Sequence, residues 1–373
     1  MALTDKLSAI GTAIREKTGG SELLTLDAMP EAIRGISGGG GGEVEPLELS
    51  GDCSYGCYGK VAGRYIELFG NTISTKDITS ANNMFSGYSY ETIPFSLNFA
   101  SYNSPMSNMF RDANLTSVPV MTGVYPSIMN SLFSSCKFLR ELPEDFGADW
   151  NWSTINTSTS SASSIFSDCY SLRRVPQSFL SNLWGLQTSS TSVPYYNMFY
   201  NCYTLDEIIN IPVQPSTMKS NGLGYTAANC ARLKNFTFET NEDGTPIIAN
   251  WKTQTLDFSY RVGFDNSYSN MTTYNSGITR DKEVKDDATY QALKDDPDWF
   301  SCNINYSRYN HDSAVATINS LPDTSEYLAA NGGTNTIKLK GASGTLTDGG
   351  AISNLTEEEI AVAAAKGWTI SLS

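Results

Sequence analysis

Positive charge is scarce in this chain. Its 25 lysines and arginines face 39 aspartates and glutamates, for a net charge of −14. That balance argues against nucleic acid, whose phosphates demand a basic face, and against anionic membrane surfaces. No apolar run approaches the roughly 18 residues of a membrane-spanning helix, so no membrane insertion is expected. The opening segment is amphipathic and charged throughout and does not read as a signal peptide. Histidine occurs once, as His311. Its neighbours Asp312 and Ser313 invite a triad, but adjacent residues do not converge in space and no nucleophile elbow is present. Sugar hydrolysis would need two carboxylates facing each other across a cleft, and no such pair stands out. The expectation is a protein that is not an enzyme and holds no cofactor.

The seven cysteines are an odd number, which would leave a spare thiol in a secreted protein. Cys53 and Cys57 are four apart, without the second pair or nearby histidine of a zinc site. Glu242 and Asp243 could touch calcium, but the EF-hand ligand spacing is missing. Gly332-Gly333 and Gly349-Gly350 are turns rather than phosphate loops, since no Lys-Ser or Lys-Thr comes after them. No metal is expected.

What the chain does have is a recurring phrase: an aliphatic residue, Phe, a small residue, Leu, an aliphatic residue and often Pro. It reads Leu132-Phe133, Cys136, Leu139, Leu142-Pro143. It returns as Ile165-Phe166, Cys169, Leu172, Val175-Pro176, and as Met198-Phe199, Cys202, Leu205, Ile208. A looser copy is Met109-Phe110, Ala113, Leu115, Val118-Pro119. Worn copies use Met84-Phe85 with Ile93-Pro94, and Cys230 with Leu233 and Phe236. Phe133 to Phe166 and Phe166 to Phe199 are both 33 residues, whereas Phe85 to Phe110 is 25 and Phe110 to Phe133 is 23. A fixed phrase with free spacing is the mark of a solenoid, with one buried edge per coil and loops of free length opposite. Stacked coils would set each Phe, Cys and Leu on its counterpart at roughly 4.8 Å. Cys136, Cys169, Cys202 and Cys230 then form a ladder of small, buried, reduced thiols.

These residues resemble the BspA-type leucine-rich repeat family over about residues 66–238. That family is common in bacterial surface proteins and in phage tail or fibre proteins. The resemblance implies an α/β architecture, a right-handed leucine-rich-repeat solenoid. The first residues are similar to a segment that opens many phage tail and fibre proteins. The matching stretches are Leu3-Thr4-Asp5, Ala13-Ile14-Arg15-Glu16-Lys17-Thr18-Gly19, Met29-Pro30 and Ile33-Arg34-Gly35-Ile36.

Taken in order, residues 1–37 predict two short helices with Leu3, Leu7, Ile10, Ile14, Met29, Ile33 and Ile36 as the apolar set. Helices this short need a partner. The resemblance makes the segment a dock for other virion proteins or an oligomerising tag, with a homotrimer favoured; a small cap on the solenoid is the alternative. Residues 38–43 hold a run of five glycines, a flexible tether. Residues 44–80 read as the cap that a solenoid's open end requires, with strands over 44–49 and 61–69 around a hairpin. Residues 81–240 are the repeats. Residues 241–373 repeat helix, turn and strand: a helix over 313–320 capped by Asp312, a strand over 336–339, a helix over 356–366 and a strand over 367–372. A further strand is predicted over 255–258 and a short helix over 286–294. In the 356–366 helix Thr356 and Glu359 form a capping box, with Ile360 and Ala364 facing in.

Loops on one side of a rigid rod are where recognition lives. Tyr102, Tyr125, Trp150, Trp152, Trp184, Tyr195 and Tyr196 lie in or beside them. They are the candidates for stacking on a host-surface glycan or burying in a host protein, or they pack back on the coils. The leading functional expectation is a phage structural protein of the tail-fibre or baseplate type that binds a host receptor. A capsid decoration or head-fibre protein and a bacterial surface adhesin are the alternatives.

Overall fold

A computed structural model describes residues 12, 47–58, 63, 66–67, 70–155, 161–184, 195–230, 233–258, 309–339 and 355–372. The chain divides into two compact units. One comprises 1–136 and 149–155, the other 137–148 and 156–373. The division falls inside the expected repeat segment 81–240. The segment 1–37 apart from residue 12, and with it all seven apolar candidates, lies outside the described residues, as do the glycine run and the 286–294 helix.

In the first unit, β1 (Leu47–Asp52) pairs in parallel with β2 (Ile73–Ser80), starting from Leu47 opposite Ile73. The next pairs are also parallel. β3 (Leu97–Asn98) pairs with β5 (Met121–Thr122), and β4 (Ser104–Pro105) with β6 (Pro126–Ile128). Parallel neighbours need a crossover and cannot be a hairpin, so the expected hairpin after β1 is corrected to a strand, a turn and a return to the next level. The expected strand over 61–69 is corrected too: Gly63, Ile66 and Glu67 are helical. The fully buried Ile66 is only one of several apolar residues there, and alternation over so short a stretch does not exclude a helical turn.

The repeat phrase forms tight turns that hydrogen-bond level to level. The Phe85 N–H donates to the Met109 carbonyl at 2.8 Å, and the Phe110 N–H to the Leu132 carbonyl at 2.9 Å. The rings track the backbone. Phe85 and Phe110 stack at 5.6 Å and 13°, and Phe110 and Phe133 at 5.3 Å and 4°. Two positions of each turn are left-handed. Two residues before the Phe stand Asn83, Asn108 and Ser131, and two after it Gly87, Asp112 and Ser135, all at positive φ. Gly, Asn and Asp tolerate that region best, and their recurrence around each Phe is a turn signal. The same turn at the first level places Tyr55 at φ 57° and Cys57 in the Phe position, where its N–H donates to the Met84 carbonyl.

The second unit uses the same turn. Phe166 and Phe199 stack at 5.5 Å and 5°, with the Phe166 N–H donating to the Met198 carbonyl at 3.0 Å. β7 (Glu207–Ile211) pairs in parallel with β8 (Asn235–Phe238). Helix α1 (Gln177–Trp184) is an element that the sequence pattern does not predict. Further on, β9 (Thr255–Asp257), β10 (Asn335–Lys338) and β11 (Trp368–Ser371) make a parallel sheet in the order β11-β10-β9.

Among the described residues this unit also holds α2 (His311–Ser320), α3 (Ser325–Asn331) and α4 (Glu357–Ala365). The α2 cap is Asn310 instead of Asp312, because the Asn310 Oδ1 accepts the Ser313 N–H. The Thr356–Glu359 capping box is present on α4. The inward residue of α4 is Ala363, and Ile360 and Ala364 are exposed. The helix meets its neighbours along a narrow stripe, and small side chains at 361, 363, 364 and 365 leave its angle undetermined by pattern.

Every expected repeat-core residue is buried: Phe85, Phe110, Phe133, Phe166, Phe199, Leu139, Leu172, Leu205, Cys136, Cys169, Cys202 and Cys230. The cysteines do more than fit. The Cys136 Sγ donates to the Phe110 carbonyl at 2.9 Å, Cys202 to Phe166 at 3.0 Å and Cys230 to Phe199 at 3.1 Å. Each of these thiols satisfies the carbonyl of the Phe one level back. Burial pushes the Cys136 and Cys202 thiols well up and that of Cys230 up to about 12, which keeps them protonated donors.

Candidate binding surface

Polar side chains of the turns are joined across levels. In the first unit the Ser107 Oγ donates to Asn130 Oδ1 at 2.7 Å, and the Ser107 N–H donates to Asn82 Oδ1 at 2.8 Å. The Asn82 Nδ2 reaches the Ser80 Oγ at 3.3 Å, and that hydroxyl meets the Ser54 Oγ at 2.7 Å. In the second unit a ladder runs through the left-handed positions after the Phe. The Asn229 Nδ2 donates to Asn201 Oδ1 at 2.8 Å, and the Asn201 Nδ2 to Asp168 Oδ1 at 2.6 Å. Level-to-level hydrogen bonds of this kind fix each turn side chain in one rotamer. In this second ladder Asn201 and Asn229 are buried and only Asp168 reaches the surface; polar groups ordered in this way lose little entropy when they bind.

The aromatic candidates divide. Tyr102 is 59 % exposed, and Tyr125, Trp152 and Tyr196 are partly exposed. Trp150 and Tyr195 are corrected: at 6 % and 2 % exposure they belong to the interior and offer no face to a ligand. Trp150 stacks on Trp152 at 5.6 Å, and the Tyr195 backbone carbonyl accepts from the Thr226 hydroxyl at 2.7 Å. Trp184 ends α1, and its side chain lies outside the described residues. Other outward tyrosines escape the sequence reading. Tyr55 and Tyr58 are 58 % and 55 % exposed and meet edge to face at 6.0 Å. Tyr200 and Tyr225 pack together at 6.2 Å. A signal for them exists: they stand within three residues of the Phe position, on the turn itself, whereas variable loop length points to the longer insertions.

The side chains considered for catalysis and metal binding have other partners. The Ser313 hydroxyl donates to Asn310 Oδ1 at 3.1 Å and so is not engaged with His311. His311 instead places Nδ1 3.3 Å from Asp312 and Nε2 3.1 Å from Glu359, whose carboxylate closes the α4 capping box. The Asp312 contact, with Glu359 adding to it, raises the imidazole above its ordinary pKa. Cys53 and Cys57 are buried, and burial pushes the Cys57 thiol far up. Asp243 holds its own turn by accepting from the Thr245 N–H and hydroxyl at 2.9 and 2.6 Å. Among the described residues no group of three or more His, Cys, Asp or Glu side chains could hold a metal ion. Among them, also, no helix is long and apolar enough to cross a membrane. Comparison of the chain with known protein families, with curated proteins and with solved structures finds no match.

Proposed function

We propose that this chain is a structural and adhesive protein of a bacteriophage particle, with the tail-fibre or baseplate type as the leading reading. In this reading residues 1–37 dock to other virion proteins or assemble copies, in trimers by analogy with the resembled fibre proteins. The glycine run frees the rest of the chain, and the repeats form a right-handed leucine-rich-repeat solenoid whose turns and loops meet a glycan or protein on the host surface. The work is binding and not catalysis. Weak contacts repeated over several copies on one particle would multiply into avidity.

One observation carries the reading. The turns stack level on level with buried Phe and Cys files, as Phe85, Phe110 and Phe133 do in one unit and Phe166 and Phe199 in the other. That leaves an ordered polar and aromatic exterior as the part available for function. Immunogold labelling with antibody against the full chain tests the placement. Label at the tail of purified particles supports it, and label on the head moves the protein to a capsid fibre. Label confined to bacterial envelopes would overturn the phage reading in favour of a surface adhesin. Adhesion of the full chain to host cells, compared before and after polysaccharide removal, tests the binding role.

A further inference from the structure

We propose that Tyr196, Tyr200 and Tyr225, on adjacent turns of the second unit, form a stacking platform for a neutral hexose ring, with the Asp168 carboxylate accepting from its hydroxyls. This names a ligand class for the host-surface role and takes its biological setting from that reading.

The platform is built by departures from the repeat. Two residues before the Phe, the left-handed position carries Asn83, Asn108, Ser131, Ser164 and Asn197. Among the described turns a tyrosine takes this position twice, Tyr55 at the first turn and Tyr225, at φ 54°, at the turn of Ala227. A bulky side chain there is disfavoured, and residues held in sparsely populated backbone regions gather at ligand sites. The residue before it departs as well. At Gly224 an added Cβ would lie 2.9 Å from the Tyr196 ring, so the glycine is the floor on which that ring lies. The result is a cluster in which the Tyr225 ring stands edge to face with Tyr196 at 5.9 Å and 88°, and with Tyr200 at 6.2 Å and 80°. All three tyrosines remain partly exposed.

The polar partner sits beside it. The Asp168 N–H donates to the Tyr200 carbonyl at 2.7 Å, which sets the backbone of residue 168 beside the aromatic turn. The Asp168 oxygens accept from Asn201 Nδ2 at 2.6 Å and from the Ser167 hydroxyl at 2.9 Å. A carboxylate oxygen has two lone pairs, so each keeps an acceptor site. Asn201 and Asn229 behind it are buried, and Asp168 is the partly exposed end of the ladder. Aromatic faces for the C–H side of a pyranose and an oriented carboxylate for its hydroxyls match the two-sided chemistry of a sugar. The same carboxylate, in a chain of net charge −14, disfavours acidic sugars.

Saturation-transfer NMR on the full chain tests this, with maltohexaose, cellohexaose and a mannohexaose as neutral probes and hexagalacturonate as the anionic one. The expected result is transfer to ring C–H protons of at least one neutral probe and none to the anionic one. Tyr225→Asn installs the residue that other repeats carry at this position and should keep the circular dichroism spectrum. It should weaken the neutral affinity about three- to tenfold, the range of one aromatic contact. Tyr200→Leu provides a second variant with the same expectation. Absence of transfer to every neutral probe, preference for the anionic one, or unchanged affinity in both folded variants overturns the proposal. Host-cell adhesion separates the two readings. If wild type and Tyr225→Asn adhere equally and bind the neutral probe equally, adhesion stands and the platform falls. If hexose binding is found but wild type does not adhere, the platform stands and the adhesive role falls.

Discussion

Replacing Cys202 separates two roles of the repeat thiol, filling space and donating a hydrogen bond. The side chain is fully buried, and its Sγ lies 3.0 Å from the Phe166 carbonyl. That carbonyl also accepts the Cys169 N–H at 3.1 Å, so it keeps one partner when the thiol is removed. Cys202→Ala deletes one sulfur from the core, worth about 1 kcal/mol of lost burial and cavity formation. Loss of the hydrogen bond adds about 0.5–1 kcal/mol. The expected destabilisation is therefore about 2 kcal/mol. Cys202→Ser shrinks the group but keeps a donor aimed at the same oxygen, and it should cost no more than alanine does. Cys202→Val must push a second methyl under the stacked Phe166 and Phe199 rings, at a cost of about 1–3 kcal/mol. Urea unfolding monitored by circular dichroism ranks the three variants. The reasoning fails if serine is clearly worse than alanine, since that would mean the buried hydroxyl finds no acceptor. It fails equally if alanine matches wild type.

Alkaline pH should act through the same thiols. Cys202 and Cys230 are raised in the folded state, so their stabilisation is complete below the ordinary thiol pKa and is lost as pH rises through the folded values. By pH 10 each should cost about 2 kcal/mol; a melting temperature equal at pH 7 and 10, or a dependence unaltered in the double Cys→Ala variant, would refute this. His311 is raised by Asp312 and Glu359, so its contribution is full below its ordinary pKa and fades as pH rises through the raised one. Amide exchange in α2 and α4 should quicken from pH 6 to 8 after correction for intrinsic rates, and His311→Gln should abolish that trend. Lys366 donates Nζ to the Ile318 and Asn319 carbonyls at 2.9 and 2.7 Å, closing the end of α2, and burial lowers its pKa to about 8. Lys366→Met keeps the stem but strands those carbonyls, and should destabilise the unit by about 1–2 kcal/mol in a denaturant melt; an unchanged midpoint would show that water replaces the ammonium.

Sequence alone determined what depends on neighbours along the chain. The Phe, Cys and Leu of each phrase carry their own burial, because a tight turn fixes which side chains point inward. The capping box of Thr356 and Glu359 was legible for the same reason: both bonds close within three residues. The left-handed positions were written in Asn, Ser, Asp and Gly around each Phe, although their meaning emerged only with the backbone. Tertiary structure decided whatever needed a second segment. Which carbonyl each thiol meets, one level back, depends on the stacking of turns, with donor and acceptor 26 to 36 residues apart. The partner of β1, the burial of Trp150 and Tyr195, and the angle at which α4 presents Ala363 all depend on surfaces supplied by distant residues. No local pattern encodes those surfaces, since burial belongs to a pair of segments and a sequence window holds only one of them.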